Sequence, residues 1–155
     1  MKLVYHKNEN LPKLAWCAIV KRSCSEIHVY HGKGIETFNN FFVEGAWDGE
    51  FLEADFPKAK FYLGTGGKVT EDSNVIFATP NHTLERLYSL SESDYIYISN
   101  SLPFILTISE SKLDMDYLDY ETDFNSILKG INEYKKIYHG VVIKSYAYTT
   151  IATLQ

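Results

Sequence analysis

Histidine and cysteine side chains are the first candidates for chemistry in this sequence, because they bind metals and act as bases or nucleophiles. His28 and His31 lie three positions apart on a predicted strand, so their side chains point to opposite faces. No Asp or Glu near them completes a known zinc spacing. The sequence therefore predicts surface or hydrogen-bonded histidines and no metal site, for His6, His28, His31, His82 and His139.

The two cysteines, Cys17 and Cys24, are too few for a disulfide framework and form no Cys-x-x-Cys motif. Cys17 lies in an apolar run, where a thiol tends to be inert, and Cys24 lies in a turn, where it is the more reactive candidate. A bridge across a hairpin is one alternative. The pattern favours two reduced thiols, neither of them catalytic.

Two other segments carry residue types that could bind ligands. LGTGGKV lacks the spacing of a phosphate-binding loop and no helix follows it, so we predict a hairpin turn at Gly66 and Gly67. LDMDYLDYETD lacks the spacing of a calcium loop and predicts a solvated acidic segment before a helix. Neither segment predicts a cofactor or a metal.

An aromatic and acidic patch surrounds Trp47. Rings beside carboxylates suit sugar stacking and hydroxyl recognition, with Trp47, Asp48 and Phe51 as the ligand-binding residues. Core packing is the alternative that we favour for these rings. A pair of carboxylates for glycoside hydrolysis is a further alternative, although the spacing does not favour it. Its candidates are Glu44, Asp48, Glu50, Glu53 and Asp55.

The overall charge and length exclude several classes of protein. The net charge is −5 and no run of Lys and Arg occurs, which argues against a nucleic-acid partner. No apolar stretch has the length of a signal peptide or of a membrane span, so we expect a cytoplasmic protein without a membrane partner. A chain of 155 residues corresponds to one domain, 1–155.

The elements that would position these residues are mostly strands. LAWCAIV and SEIHVYHG predict a hairpin, and KFYLG, NVIFATP, YIYIS and the C-terminal VVIKSYAYTTIATL predict further strands. Helical spacing of apolar residues predicts helices near 101–110, capped by Ser101, and over 123–138. The predicted fold class is α+β, with antiparallel β-sheet layers and two main helices. Because the chain stops inside an apolar, β-prone stretch, we expect it to be the N-terminal part of a longer protein, with a natural C-terminal strand as the alternative.

Three blocks of the sequence then carry a family resemblance. VEGAWDGEF, NVIFATPNHTLERLYSL and YIYISNSLPFIL, in this order, resemble the later part of the N-terminal glutamine-amidotransferase domain of asparagine-synthetase-like proteins. Leu87 and Tyr88 stand at the Leu-Tyr place of the family, and Ser99 to Leu102 stand at its strand-to-helix junction. The resemblance covers roughly residues 41 to 148 and implies a reduced sandwich of the N-terminal-nucleophile hydrolase type.

The chain departs from that family where the chemistry takes place. The family's nucleophile is a cysteine directly after the initiator methionine, and here that position is Lys2. The carboxylate-binding Arg, the Asn-Gly-Glu motif and the later Asp-Glu pair have no counterpart. Without a terminal cysteine there is neither a thiolate nor its α-amino base, so the resemblance implies no catalytic residue and no enzyme activity for this domain alone.

The resemblance implies a non-catalytic, degenerate amidotransferase-like domain of a biosynthetic protein. It would support or regulate a C-terminal ATP-pyrophosphatase-type domain in the same protein, its expected partner. The alternative from the residues alone is a small binding module for a glycan or another polar ligand, which would use the aromatic and acidic patch.

Overall fold

The computed structural model describes residues 1–80, 85–112, 116, 118, 121, 125, 143–146 and 152–154. These residues form a mixed α+β structure in which β-sheets dominate, in agreement with the predicted fold class. Among them, one α-helix has defined bounds, α1 (Leu102–Ile108), which is the first of the two predicted helices. The second predicted helix, 123–138, lies outside the described residues except for Asn125. No described helix is long and apolar enough to cross a membrane.

Two sheets organise the described part of the chain. Sheet A has the spatial order β1-β3-β2-β9-β8-β10. Its strands are β1 (Lys2–Lys7), β2 (Trp16–Lys21), β3 (Glu26–His31), β8 (Leu87–Ser91), β9 (Tyr95–Ser99) and β10 (Ile143–Tyr146). Sheet B has the order β11-β7-β6-β5-β4. Its strands are β4 (Glu36–Thr37), β5 (Phe41–Trp47), β6 (Tyr62–Val69), β7 (Val75–Ala78) and β11 (Ala152–Leu154).

The prediction of antiparallel sheets is correct for every described strand pair except one. The β2–β3 hairpin is confirmed, with Ala18 opposite Val29. The exception is β1, which pairs with β3 in parallel, with Lys2 opposite Glu26 and Lys7 opposite His31. The sequence pattern does not reveal this pair, because a six-residue strand with charged ends says nothing about the direction of its partner.

The predicted glycine turn is wrong. Gly66 and Gly67 lie inside the continuous strand β6, and the chain turns later, where Thr70 N donates to Asn74 O at 2.8 Å. A Cβ at Gly67 would lie 2.7 Å from Cε1 of Phe42. Glycine is needed at this position because the Phe42 ring lies against the strand, and no turn requires it.

The predicted junction between strand and helix is confirmed. Strand β9 ends at Ser99 and α1 begins at Leu102, with Pro103 in its first turn. Ser101 is the N-cap, and its Oγ accepts a hydrogen bond from Phe104 N at 3.4 Å. The cap satisfies one of the backbone donors that a helix leaves free at its first turn.

The core lies in three layers. Between the sheets, Trp16 and Val29 of sheet A pack with Phe42 and Phe77 of sheet B, all of them fully buried. On the outer face of sheet A, α1 covers a second cluster that includes Cys17. On the outer face of sheet B, a third cluster packs around two 3-10 helices, Phe51–Glu53 and Phe56–Lys58. Each large side chain buried in this way contributes about 1.5–3 kcal/mol.

Candidate ligand-binding site

A chain of hydrogen bonds crosses between the two sheets at one end of the sandwich. The indole nitrogen of Trp16, in β2, donates to Thr65 Oγ1, in β6, at 2.8 Å. Thr65 Oγ1 in turn donates to Glu44 Oε1 at 2.7 Å, and Thr65 N donates to the same oxygen at 3.0 Å. Two donors therefore fix the Glu44 carboxylate in one position.

Asn100 holds the sheet A side of this region. Trp16 N donates to Asn100 Oδ1 at 2.9 Å, and Asn100 Nδ2 donates to Leu14 O at 2.8 Å. Ser99 Oγ donates to Trp16 O at 2.6 Å. The strand-to-helix junction is thereby connected to the start of β2, and Asn100 lies at the end of β9 facing the Glu44 network.

These residues border a pocket of about 320 Å³. Its wall combines polar side chains with apolar groups, and Glu44 and Arg86 are both only 9% exposed. The lining residues are Pro12, Leu14, Ala15, Glu44, Thr65, Glu85, Arg86, Tyr88, Asn100 and Ser101. A volume of this size accommodates a small molecule and is at the lower end of the range for ligand pockets.

Burial controls the protonation of the pocket's central carboxyl. Burial raises the pKa of Glu44, and the nearby Glu85 carboxylate raises it further, while the hydrogen bonds from Thr65 and Asn100 oppose the rise. Glu44 also raises the pKa of buried Tyr62, after the larger effect of that ring's own burial. The carboxylate is thus held by donors in a region that disfavours its charge.

A glycine pair brings the two strands of the site close together. Gly45 lies opposite Gly64, directly beside the Glu44–Thr65 pair, and both have positive φ, 137° and 122°. A Cβ at Gly64 would collide with the Glu44 carbonyl oxygen. Only glycine allows this approach, which places the Thr65 donors against Glu44.

The patch predicted around Trp47 forms a packed group on the outer face of sheet B. Trp47 is half-buried and stacks on Phe51, with ring centroids 4.9 Å apart, and its indole nitrogen donates to Asp55 Oδ1 at 2.6 Å. Asp48 is exposed, and its Oδ1 accepts from Phe61 N at 3.2 Å. The structure thus brings Trp47 and Phe51 into one stack and leaves Asp48 beside it at the surface.

Glu44 and Asp55, two of the carboxylates near Trp47, do not form a facing pair. Glu44 shares the inner face of sheet B with Thr65, whereas Asp55 bonds Trp47 on the outer face. Two groups on opposite faces of a sheet cannot flank one scissile bond.

The histidines that the structure describes form no metal cluster. His31 is buried and bonds Gly32 O, while His28 lies beside His6, with Nδ1 and Nε2 at 2.9 Å. Within the described ranges, no group of three His, Cys, Asp or Glu side chains could hold a metal ion. His82 and His139 lie outside the described residues.

Both cysteines are free, as the sequence predicts. Cys17 is fully buried under α1, and burial raises the pKa of its thiol to about 12. Cys24 is half-buried in the turn between β2 and β3.

Position 2 lies far from the pocket. On strand β3, Glu26 pairs with Lys2, and His31 pairs with Trp16 at the pocket end of β2. Glu26 and His31 are five residues apart along β3, which corresponds to about 17 Å. The N-terminus and the turn with Cys24 therefore lie at the end of sheet A opposite the pocket.

Comparison with protein-family models, with curated proteins and with solved structures gives no match for this chain.

No sequence pattern indicates that Glu44, Thr65 and Trp16 form one network. Glu44 belongs to the segment around Trp47, and Thr65 belongs to the glycine-rich segment LGTGGKV. These residues are 21 and 49 positions apart along the chain. Spacing within a single segment carries no signal for such a cluster.

Proposed function

We propose that this chain is a non-catalytic, degenerate glutamine-amidotransferase-like domain of an asparagine-synthetase-like biosynthetic protein, which supports or regulates a C-terminal ATP-dependent domain. The sequence blocks that resemble this family support the proposal. A reduced N-terminal-nucleophile sandwich also fits the arrangement of two facing sheets with α1 on the outer side of one of them.

The main support for a lack of catalytic activity is the lysine at position 2. The nucleophile of the family follows the initiator methionine, and a lysine side chain at this position offers no thiolate. Lys2 also lies at the end of the sheet opposite the polar pocket. Residue type and placement both argue against glutamine hydrolysis.

The internal cysteines do not replace the missing nucleophile. The Cys17 thiol is buried and its pKa of about 12 leaves almost no thiolate near neutral pH. Cys24 lies in the turn before Glu26, which pairs with Lys2, and is therefore also remote from the pocket.

Ammonia release from L-glutamine by the purified chain tests the proposal. We expect no release above a buffer control, with an active glutaminase in the same assay as the positive control. A Lys2→Cys variant, with the initiator methionine removed, should also stay inactive, because the new thiol would lie away from the pocket. Ammonia release by the unaltered chain would overturn the proposal.

The coding sequence downstream of Gln155 tests the supporting role separately. We expect an ATP-binding domain in the same reading frame. A stop codon directly after Gln155 would remove that role and favour the second candidate function.

The second candidate is a small binding module for a glycan or another polar ligand. The observation that favours it is an open depression beside Trp47, bordered by Phe61 and Leu63, which are 64% and 62% exposed. In this case Trp47→Ala would abolish glycan binding and leave the melting temperature nearly unchanged. Titration of the chain with a glycan panel, before and after the substitution, distinguishes the two functions.

A further inference from the structure

Two histidines of neighbouring strands face each other on the outer face of sheet A. In β3, Val29 packs into the core between the sheets, so the alternation of side chains places His28 and Tyr30 on the outer face. Strand β1 pairs with β3 in parallel, with Val4 opposite His28 and His6 opposite Tyr30. Paired residues share a face of the sheet, so His6 and His28 are diagonal neighbours on its outer side.

The two imidazole rings meet edge to edge through one nitrogen each. His6 Nε2 and His28 Nδ1 are 2.9 Å apart, whereas the ring centroids are 5.2 Å apart and the ring planes differ by 16°. Tyr30 in turn stacks on His6, with centroids 4.5 Å apart and planes that differ by 17°. The strand pair and this stacked ring keep the two nitrogens close together.

The distance between these nitrogens matches a metal ion whose ligands lie at right angles. An ion about 2.0–2.1 Å from each of two imidazole nitrogens holds them about 2.9 Å apart at a right angle, and about 3.3 Å apart at a tetrahedral angle. Zn(II) favours the tetrahedral arrangement, whereas Cu(II) and Ni(II) favour square-planar or tetragonal surroundings with nitrogen and oxygen ligands. The separation of the pair therefore favours Ni(II) or Cu(II).

Both rings can bind such an ion as neutral ligands. In the hydrogen-bonded pair, one of the two facing nitrogens carries the proton that the other accepts. With the ion bound, that proton lies on the other nitrogen of the same ring, so His6 Nδ1 and His28 Nε2 are the protonated nitrogens. The two lone pairs then turn from each other toward the ion, which lies to one side of the line between the nitrogens. Both side chains are half-buried at the surface of the sheet.

We infer that His6 and His28 form a binding site for one Ni(II) or Cu(II) ion, with water at the remaining coordination positions. In the part of the chain that the structure describes, no third His, Cys, Asp or Glu side chain completes a metal cluster. An ion held by two protein ligands keeps positions open for a further ligand. The two histidines are 22 positions apart in the sequence, so no local spacing indicates the pair. This site goes beyond the proposed function and does not depend on it.

Titration of the full chain with nickel chloride at pH 7.5 tests the inference. Ni(II) is the better probe because Cu(II) oxidises thiols, and Cys24 is half-buried. We expect calorimetry to show one ion per chain, and two-dimensional NMR to show changes in the amide signals around His6 and around His28. Magnesium chloride should cause neither effect, because Mg(II) prefers oxygen ligands. No saturable Ni(II) binding, or amide changes at only one of the two strands, would overturn the inference.

Matched variants identify the ligands. His6→Gln and His28→Gln each leave one imidazole of the pair and should each lower the Ni(II) affinity at least about tenfold. The control is the double variant His82→Gln and His139→Gln, which removes two histidines and leaves the pair in place. Its Ni(II) affinity should equal that of the natural chain.

The two single variants are independent, so one of them still decides the test if the other fails to fold. Unchanged affinity in a folded single variant, or an equal loss in the control, would contradict the inference. Glutaminase activity has no bearing on either result, so the two proposals fail separately.

Discussion

Trp16 and Thr65 join the two sheets through a buried hydrogen bond of 2.8 Å between the indole nitrogen and Oγ1. Both residues are fully buried. The same hydroxyl donates onward to Glu44, so a single oxygen connects the core to the pocket.

Replacing Thr65 by Val should remove this connection while keeping the shape of the side chain. The variant leaves the Trp16 N–H without its acceptor and removes one donor from Glu44, and we expect a loss of about 2–4 kcal/mol. Thr65→Ser keeps the hydroxyl and should lose much less. Urea unfolding of the three proteins measures the difference, and equal stabilities of the Val and Ser variants would show that the hydroxyl contributes little.

Glu44 should make the stability depend on pH in a direction unusual for a carboxylate. Burial raises the pKa of Glu44, with Glu85, Arg86 and Tyr62 as the neighbouring ionisable groups of the pocket region. Between the unfolded value, about 4.5, and the higher folded pKa, the native state binds more protons than the unfolded state. Its contribution to stability therefore falls as pH rises through this window.

A Glu44→Gln variant should lose that decline, because an amide does not titrate. The stability of the variant relative to the natural chain should rise from pH 4 to neutral pH. Urea midpoints of both proteins across this range provide the measurement. A difference that stays constant with pH would mean that the folded pKa of Glu44 is not raised.

Trp47→Ala should destabilise the fold through loss of packing. The ring stacks on Phe51 and contacts Phe56 and Tyr62, but it is only half-buried, so we expect about 2–3 kcal/mol, below the roughly 3–5 kcal/mol for a fully buried ring. In a chain of this length this corresponds to a fall in melting temperature of about 5–10 °C. Trp47→Phe keeps a ring and loses the bond to Asp55, at a cost of about 1 kcal/mol. A shift of about one or two degrees for Trp47→Ala would instead favour the binding-module function.

Gly64→Ala should be among the most damaging small substitutions. Its φ of 122° is unfavourable for alanine, and the new Cβ would lie 2.7 Å from Gly45 Cα and collide with the Glu44 carbonyl oxygen. We expect a loss of about 3 kcal/mol or more. Gly34→Ala is the milder control, because its φ is not positive and the new Cβ would meet the movable end of the Leu14 side chain at 2.9 Å and the Lys13 carbonyl oxygen at 3.0 Å, without a collision below that distance. Urea unfolding should rank the two variants in this order, and a Gly64→Ala variant as stable as Gly34→Ala would contradict the close approach of β5 and β6.

The two thiols should react very differently with a disulfide reagent such as DTNB. Cys17 is buried and its pKa is raised to about 12, so it should react only after denaturation. Cys24 is half-buried and should react in the native protein. A Cys24→Ser variant should then show no native reaction. Rapid labelling of Cys17 in that variant would indicate that α1 opens easily from sheet A.

Local patterns in the sequence predict several elements correctly. The β2–β3 hairpin follows from two β-prone runs separated by a short polar segment, and the β9–α1 junction follows from a change of period with a capping Ser101. These elements depend on interactions between residues close in sequence, so their residue types carry the information.

Gly66 and Gly67 show where this kind of reasoning fails. Glycine serves a turn and a close contact equally well, and the contact with Phe42 depends on a strand that is distant in sequence. The residues of β1 likewise do not show whether it pairs in parallel or antiparallel. Its parallel pairing with β3 follows from the arrangement of sheet A as a whole.

By itself, the sequence determined the β-rich class, the hairpin, the capped helix and the absence of a cysteine at position 2. The tertiary structure alone decided that Glu44, Thr65, Trp16 and Asn100 meet at one end of the sandwich and that Lys2 lies at the other end of sheet A. The physical reason is that the hydrogen bonds of this network join residues 84 positions apart within sheet A and 49 positions apart between the sheets. Such pairs are selected by the packing of two whole sheets, which no single segment encodes.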